Sequence, residues 1–455
     1  MKALRKTASP LVLLLSLLFL MPGFAGPAGG SAGTASSPAG DKVASPPKGT
    51  EIVSVLKSAG LKNRLRRMGF DLLADWNGKI YLLADARGQL RLGAEGIAYA
   101  PETGRLPAVP SAVPRPLAGG LNGAYHSYAE LEADLYALQA RFPDLARVSS
   151  IGTSLEGRNL YALKISRNPA AEENEAKVLL LGCHHAREWI SVEVPYYAGK
   201  HLLENYASDP EVKRLLDSSE VWIVPLVNPD GLEYSIHVYR YWRKNRRDAG
   251  NDVFGVDLNR NYGYKWGFDD EGSSPNPESE VYRGTAAFSE PETQAVRALF
   301  ESRDFGALIT YHSYNQIIMY PWGYTADPAP DQDQMAAIGA EMAARIQAVN
   351  GRVYKVSEAS TGLYFTNGDT TDWTYALSRA PSYTIELPPV DIVNGGFFNA
   401  EADIESISRE NIQAVLSLIA HAVRDFQPAA PNPPAARPGF PPRPPRRSSL
   451  IKGIH

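Results

Sequence analysis

The sequence predicts an α/β protein: a mixed, mostly parallel central sheet with helices on both faces, preceded by a small αβ segment. Three observations carry this. Between Tyr125 and about Phe426, short apolar runs alternate with longer segments of helical period, and such alternation builds a sheet covered on both sides. The run Val178-Leu179-Leu180-Leu181 is branched and apolar throughout, the pattern of a buried strand. Upstream, Phe70 to Ala84 reads as two strands around an Asn77-Gly78 turn, a hairpin separate from the main alternation. With 455 residues and 44% hydrophobic content, the chain can bury a large core together with a smaller domain.

Taken from the amino terminus, Lys2, Arg5 and Lys6 precede an apolar run from Leu11 to Met21, followed by Gly23-Phe24-Ala25. A basic start, an apolar stretch too short for a comfortable span and small residues at its end form a signal peptide over residues 1–25. The reading is an exported bacterial protein, periplasmic or extracellular, with no stable membrane span; the alternative is a retained anchor. Residues 26–49 form a Pro-, Gly-, Ser- and Ala-rich linker. Over residues 50–121, Val53, Leu56 and Leu61 suggest a short helix, followed by the hairpin. Pro107 to Pro116 then punctuates the chain and Gly119-Gly120 offers a cleavage point, so this segment reads as a propeptide. An accessory domain that stays attached is the competing reading.

Residues 122–427 form the main domain. Tyr128 to Phe142 is expected to be helical, with Leu131, Leu135 and Leu138 on one stripe. Tyr161–Ile165, Val178–Leu181, Val221–Leu226, Ala307–Tyr311 and Ser382–Leu387 are the expected strands. Glu193–Tyr206, Pro291–Ser302, Asp331–Val349 and Glu401–Phe426 are the expected long helices. Residues 428–455 are rich in proline and arginine and contain no acidic residue. They read as a disordered tail, either simply solvated or in contact with an anionic envelope surface. A net charge of −4 gives no case for nucleic acid binding. The lone Cys183 excludes an intrachain disulfide framework.

In such sheets the functional site lies at the carboxyl ends of the strands. Val178–Leu181 runs directly into Gly182-Cys183-His184-His185-Ala186-Arg187-Glu188. His185 and Glu188 stand three residues apart, so on a turn an imidazole and a carboxylate can reach one metal ion. Alone, the pair reads equally as a surface histidine beside an ion-paired glutamate. A catalytic zinc takes three protein ligands and leaves a position open, so a third is owed. His312, closing the strand Ala307–Tyr311, is the candidate.

Together these segments resemble the zinc metallocarboxypeptidases of the carboxypeptidase A type. Gly182–Ile190 is similar to the family's His-x-x-Glu segment. Asn228-Pro229-Asp230-Gly231, Trp242-Arg243-Lys244-Asn245-Arg246 and Gly255-Val256-Asp257-Leu258-Asn259-Arg260-Asn261 follow in the family's order. So do His312-Ser313-Tyr314, Tyr320–Tyr324, Tyr364, Asp372-Trp373 and Thr384-Ile385-Glu386-Leu387.

The resemblance implies the zinc carboxypeptidase fold with one Zn²⁺ held by His185, Glu188 and His312. It implies Glu386 as the carboxylate that deprotonates water, and Arg243 as the arginine that stabilises the oxyanion, with Arg246 its rival. It implies Asn259 and Arg260 as the grip on a terminal carboxylate, Tyr364 as the tyrosine closing over it, and Arg187, Ser313 and Tyr314 as further substrate contacts. Met319, Gly323, Ala359, Thr366, Asp369 and Thr371 would line the specificity pocket. Basic-selective relatives carry aspartate at the position of Thr371; here Asp369 offers the charge, as in bacterial enzymes of the carboxypeptidase T type. The implied activity is removal of hydrophobic and basic C-terminal residues from peptides and proteins by a secreted monomer, with the propeptide able to inhibit in cis. Two alternatives stand beside it. One is a same-fold peptidase acting on peptidoglycan stem peptides, and the other a non-catalytic module binding C-terminal peptides. A serine hydrolase is excluded for want of a Gly-x-Ser-x-Gly elbow.

Overall fold

The computed structural model describes residues 50–102 and 121–427. The expected leader, linker and tail, and most of the expected cutting region, lie outside them. Residues 50–102 form a four-stranded antiparallel sheet in the order β2-β3-β1-β4. Its strands are β1 (Glu51–Leu56), β2 (Asp71–Trp76), β3 (Lys79–Ala84) and β4 (Tyr99–Pro101), with helices α1 (Leu61–Arg67) and α2 (Ala86–Ala94). The Asn77-Gly78 turn is where the sequence places it, both residues having positive φ.

The expected helix around Val53 and Leu56 is a strand instead. Ile52, Val53 and Val55 are buried between two antiparallel neighbours, while Leu56 is 75% exposed and belongs to no helical stripe. β-branched side chains suit that pleated, enclosed position. The helix begins later, after Gly60 at φ +73°.

The main unit opens with α3 (Tyr128–Arg141), whose Ser127 and Glu130 form a capping box and whose Leu131, Leu135 and Leu138 are buried. There follow β5 (Ala146–Thr153), β6 (Asn159–Ile165), β7 (Ala176–Gly182), α4 (Ile190–Asn205), α5 (Pro210–Leu216), β8 (Ser219–Val224) and α6 (Pro229–His237). Then come α7 (Pro291–Glu301), β9 (Ala307–Ser313), β10 (Ile317–Tyr320), α8 (Gln332–Asn350), β11 (Lys355–Glu358), α9 (Ala359–Gly362), α10 (Thr370–Ser378), β12 (Ser382–Leu387) and α11 (Ile404–Asp425). The eight strands run in the order β11-β10-β12-β9-β7-β8-β6-β5. The three central pairings among β12, β9, β7 and β8 are parallel, as is β10 beside β11, whereas β10 with β12, β8 with β6 and β6 with β5 are antiparallel.

β7 shows why its sequence is apolar throughout. Val178 and Leu180 enter the core under α4, α8 and α11, while Leu179 and Leu181 enter a second core with Trp222, Phe300 and Trp373. Gly182 ends the strand where a Cβ would lie 2.2 Å from the Ser191 carbonyl and 2.7 Å from that of Pro225. Only glycine lets the strand close onto α4 there. β5 escaped the sequence reading because this edge strand is polar and half-exposed over much of its length.

Candidate active site

His185 and Glu188 lie in the turn between β7 and α4, where the Glu188 amide donates to the His185 carbonyl (3.2 Å). His312 comes from β9, which runs two residues beyond its expected end because β12 pairs with it as far as Leu387–Ser313. That register sets Glu386 directly opposite His312, and on adjacent parallel strands the two side chains share a face. All of these groups stand at the carboxyl ends of parallel strands, where the sheet leaves a crevice.

The donor set fits zinc. His185 Nδ1 lies 2.9 Å from Glu188 Oε1, His312 Nδ1 lies 3.1 Å from Glu188 Oε2, and the two ring nitrogens are 3.1 Å apart. This is close to the separation of ligands that each lie about 2.0–2.1 Å from a shared tetrahedral ion. Two ring nitrogens facing one another at 3.1 Å make sense as lone pairs aimed at a common cation. His185 Nε2 lies 3.1 Å from Asp257 Oδ1, a carboxylate that fixes the tautomer and leaves Nδ1 free to ligate. Burial favours the neutral form of His312, the ligating form. Burial also opposes the Glu188 charge, yet the two histidines hold its carboxyl well below the ordinary range.

Glu386 is 9% exposed, and its Oε2 has no hydrogen-bond partner. Burial and the nearby Glu188 carboxylate push its pKa upward. A bound metal cation counteracts that shift. Arg243 is held at the crevice by Asp257 through Nε (3.2 Å) and Nη2 (2.9 Å), with Nη1 3.8 Å from Glu188. Its rival Arg246 instead packs against Tyr234, Trp242 and Phe254. His184, adjacent to His185 in sequence, is committed elsewhere, to Tyr262 (2.8 Å) and Thr310 (3.2 Å).

Asn259 and Arg260 sit in a short 3-10 turn. Asn259 Oδ1 accepts from the Thr370 amide and hydroxyl (2.9 and 2.7 Å), and Arg260 donates to the Gly272 and Asn259 carbonyls (2.9 and 2.6 Å). Gly368, at φ +68°, allows this, since a Cβ would lie 2.6 Å from the Arg260 carbonyl. A small pocket beside Arg260 and Tyr364 is lined by Met319, Ala359, Thr366, Asp369, Thr371 and Thr384. Asp369 caps α10 through the Asp372 amide (2.8 Å) and accepts from Thr366 (2.6 Å). It is therefore both a turn residue and a pocket residue.

Three expected substrate contacts face the N-terminal unit instead of open solvent. Arg187 forms a two-armed ion pair with Asp71, the longer arm 3.1 Å, and the Tyr314 hydroxyl donates to the Leu73 carbonyl. Tyr364 lies under the Arg66 guanidinium at 4.1 Å. The Ser313 hydroxyl lines the crevice and has no partner. Ile52, Leu73, Tyr81 and Leu83 complete the contact, packing on Tyr241, Tyr314, Ile392 and Phe397.

The sequence reading missed Asp257, which serves both His185 and Arg243. Its signal was a carboxylate two residues before Asn259 in a motif already singled out. Asp71 and Arg66 carried no signal, since nothing local ties a hairpin and a short helix to a crevice formed 100 residues later.

The zinc carboxypeptidase family profile (peptidase M14) matches residues 131–414. A zinc carboxypeptidase of Saccharothrix mutabilis subsp. capreolus is 34% identical over 372 residues, covering 78% of this chain and 84% of that protein. Carboxypeptidase B of Astacus astacus is 32% identical over 307 residues, 66% of this chain and 98% of its own. Among solved structures, carboxypeptidase A from Helicoverpa armigera superimposes with a TM-score of 0.70 at 25% identity, covering 85% of this chain and 99% of that one. Thrombin-activatable fibrinolysis inhibitor gives a TM-score of 0.69 at 26% identity, covering 83% and 99%.

Proposed function

The chain belongs to the zinc carboxypeptidase family, a family of zinc-dependent peptidases, and from that premise we propose that it removes single C-terminal residues from peptides and proteins with Glu386 as general base. One observation carries the reading. His185, Glu188, His312, Arg243, Arg260 and Glu386 converge on one crevice, although they come from segments up to 200 residues apart.

Zinc, when bound by His185, Glu188 and His312, supplies a Lewis acid that polarises the scissile carbonyl and acidifies water. Glu386 takes the proton of the attacking water and delivers it to the leaving amine. Arg243, fixed by Asp257, donates to the oxyanion as it develops. Arg260, with Asn259 beside it, binds the terminal carboxylate through its planar guanidinium, so cleavage is measured from the chain end. Tyr364 closes over that end, and Arg187, Ser313 and Tyr314 meet the residues before it. The pocket joins apolar Met319 and Ala359 with Asp369, which supports acceptance of both hydrophobic and basic terminal residues.

Residues 50–102 act as a propeptide, since Asp71 and Leu73 occupy Arg187 and Tyr314. The basic and apolar start of the sequence supports export ahead of activation. Among the described residues no helix is long and apolar enough to cross a membrane.

The test is hydrolysis of N-blocked dipeptides ending in Phe, Leu, Arg or Glu by the processed chain, with and without a zinc chelator, beside Glu386→Gln. Chelator-sensitive release of Phe and Arg, absent in the variant, is expected. Turnover of muropeptides alone would replace this reading with the peptidoglycan one, and tight binding without turnover would leave a binding module.

A further inference from the structure

The N-terminal unit covers the crevice without filling it. A cavity of about 430 Å³ remains between the two, bordered by Lys62, Arg66, Arg243, Tyr364 and Glu386. Its walls carry six cationic side chains against four carboxylates. Most of the cations are matched. Arg187 has Asp71, Arg243 has Asp257, and Lys57 and Lys62 share Asp75 at 2.8 and 3.5 Å.

Arg66 is different. Its guanidinium lies over the Tyr364 ring, and among the described residues no carboxylate pairs with it. Arg260 approaches the same ring at 5.9 Å, so one tyrosine is shared by guanidinium groups from both units. Burial pulls the Arg66 pKa down to about 10, and Arg260 and Arg243 both disfavour its charge. Asp75 favours its charge only from a distance. A largely enclosed cation with no carboxylate in direct contact is costly, and a planar guanidinium is shaped to take a carboxylate on two bonds.

We propose that Arg66 and Arg260 together form a site for a small carboxylate, one that exists only while the N-terminal unit is docked, and that a free α-amino acid bound there holds the unit in place. The inference rests on the reading of Arg260 as the grip on terminal carboxylates. Free amino acids are the product class of that reaction, so latency deepens wherever product accumulates. The cavity has room for such a molecule beside the docked unit, and Arg260 lines the small pocket that adjoins it at Leu363, Tyr364 and Glu386.

The test is calorimetric titration of the zinc-loaded, unprocessed chain with L-phenylalanine, L-phenylalaninamide and inorganic phosphate. Arg66→Gln and Arg260→Lys are run alongside, and proteolytic loss of the N-terminal unit is timed with and without each ligand. Phenylalanine is expected to bind and to slow that loss, while the amide does neither. Arg66→Gln is expected to weaken binding at least about tenfold, the loss of one charge-assisted contact. Phosphate competing with the same dependence on Arg66 supports an anion site of broader taste. Binding weakened by Arg260→Lys but untouched by Arg66→Gln overturns the inference and leaves the role of Arg260 standing. The amide binding as well as the acid overturns both.

Discussion

Asp71→Asn isolates the contact that ties the N-terminal unit to the crevice. Arg187 is 2% exposed and its ion pair with Asp71 is two-armed. Removing one partner of a buried pair costs about 3–5 kcal/mol, because the remaining charge is left uncompensated. Here that cost falls on the docked state alone, since undocking returns Arg187 to water, and asparagine keeps one hydrogen bond. About 3 kcal/mol of docking free energy should therefore be lost, on the order of a hundredfold in the equilibrium. The assay compares hydrolysis of a blocked dipeptide by unprocessed wild-type and Asp71→Asn chains, with gels confirming that neither has been cut. The variant should turn over roughly a hundredfold faster. Asp75→Asn is the control, because Lys57 and Lys62, its partners, belong to the same unit. An uncut, folded Asp71→Asn chain as silent as wild type would refute the reasoning, as would full activity in the unprocessed wild type.

Asp257→Asn should weaken zinc binding by about 10–100-fold, the usual cost of losing a carboxylate behind a ligating histidine, measured by competition with a zinc buffer. Asp369→Asn should lower kcat/KM for Arg-terminated substrates by about tenfold or more relative to Phe-terminated ones; an unchanged ratio would leave Asp369 as a helix cap only. Burial opposes the charge on His126, but Glu193 and Asp134 outweigh it and raise its pKa to about 9. The stabilisation from protonated His126 is then complete below about pH 6.5 and lost as the pH rises through about 9, on the order of 2–3 kcal/mol. His126→Gln should flatten the stability profile across that window in denaturant titrations. Glu292 has the same sign at lower pH, since burial raises its pKa to about 7. Its neutral form suits the fold, so stability falls as the pH rises from about 4.5 to 7, and Glu292→Gln should remove that slope.

The sequence by itself determined the α/β class, the hairpin at Asn77-Gly78, and most strands and long helices of the main unit. It also named His185, Glu188 and His312, which the fold brings together as a cluster able to hold a metal ion. Periodicity and turn chemistry are local, and in β7 the apolar run reports burial on both faces without any knowledge of the neighbours. The i, i+3 spacing of His185 and Glu188 is local too. Tertiary structure decided the rest. The stretch at Val53 and Leu56 carried residues compatible with either a helix or a strand, and the flanking β3 and β4 made it β1. His185 and Arg243 were already preferred in the sequence, but what engages each of them and their neighbours His184 and Arg246, namely Asp257, Tyr262 and an aromatic cluster, is distant in sequence. Asp71 on Arg187 and Arg66 over Tyr364 were beyond the reach of sequence altogether. Those contacts join side chains more than 100 residues apart, and no local pattern records which distant surface a charge will meet once the chain has closed on itself.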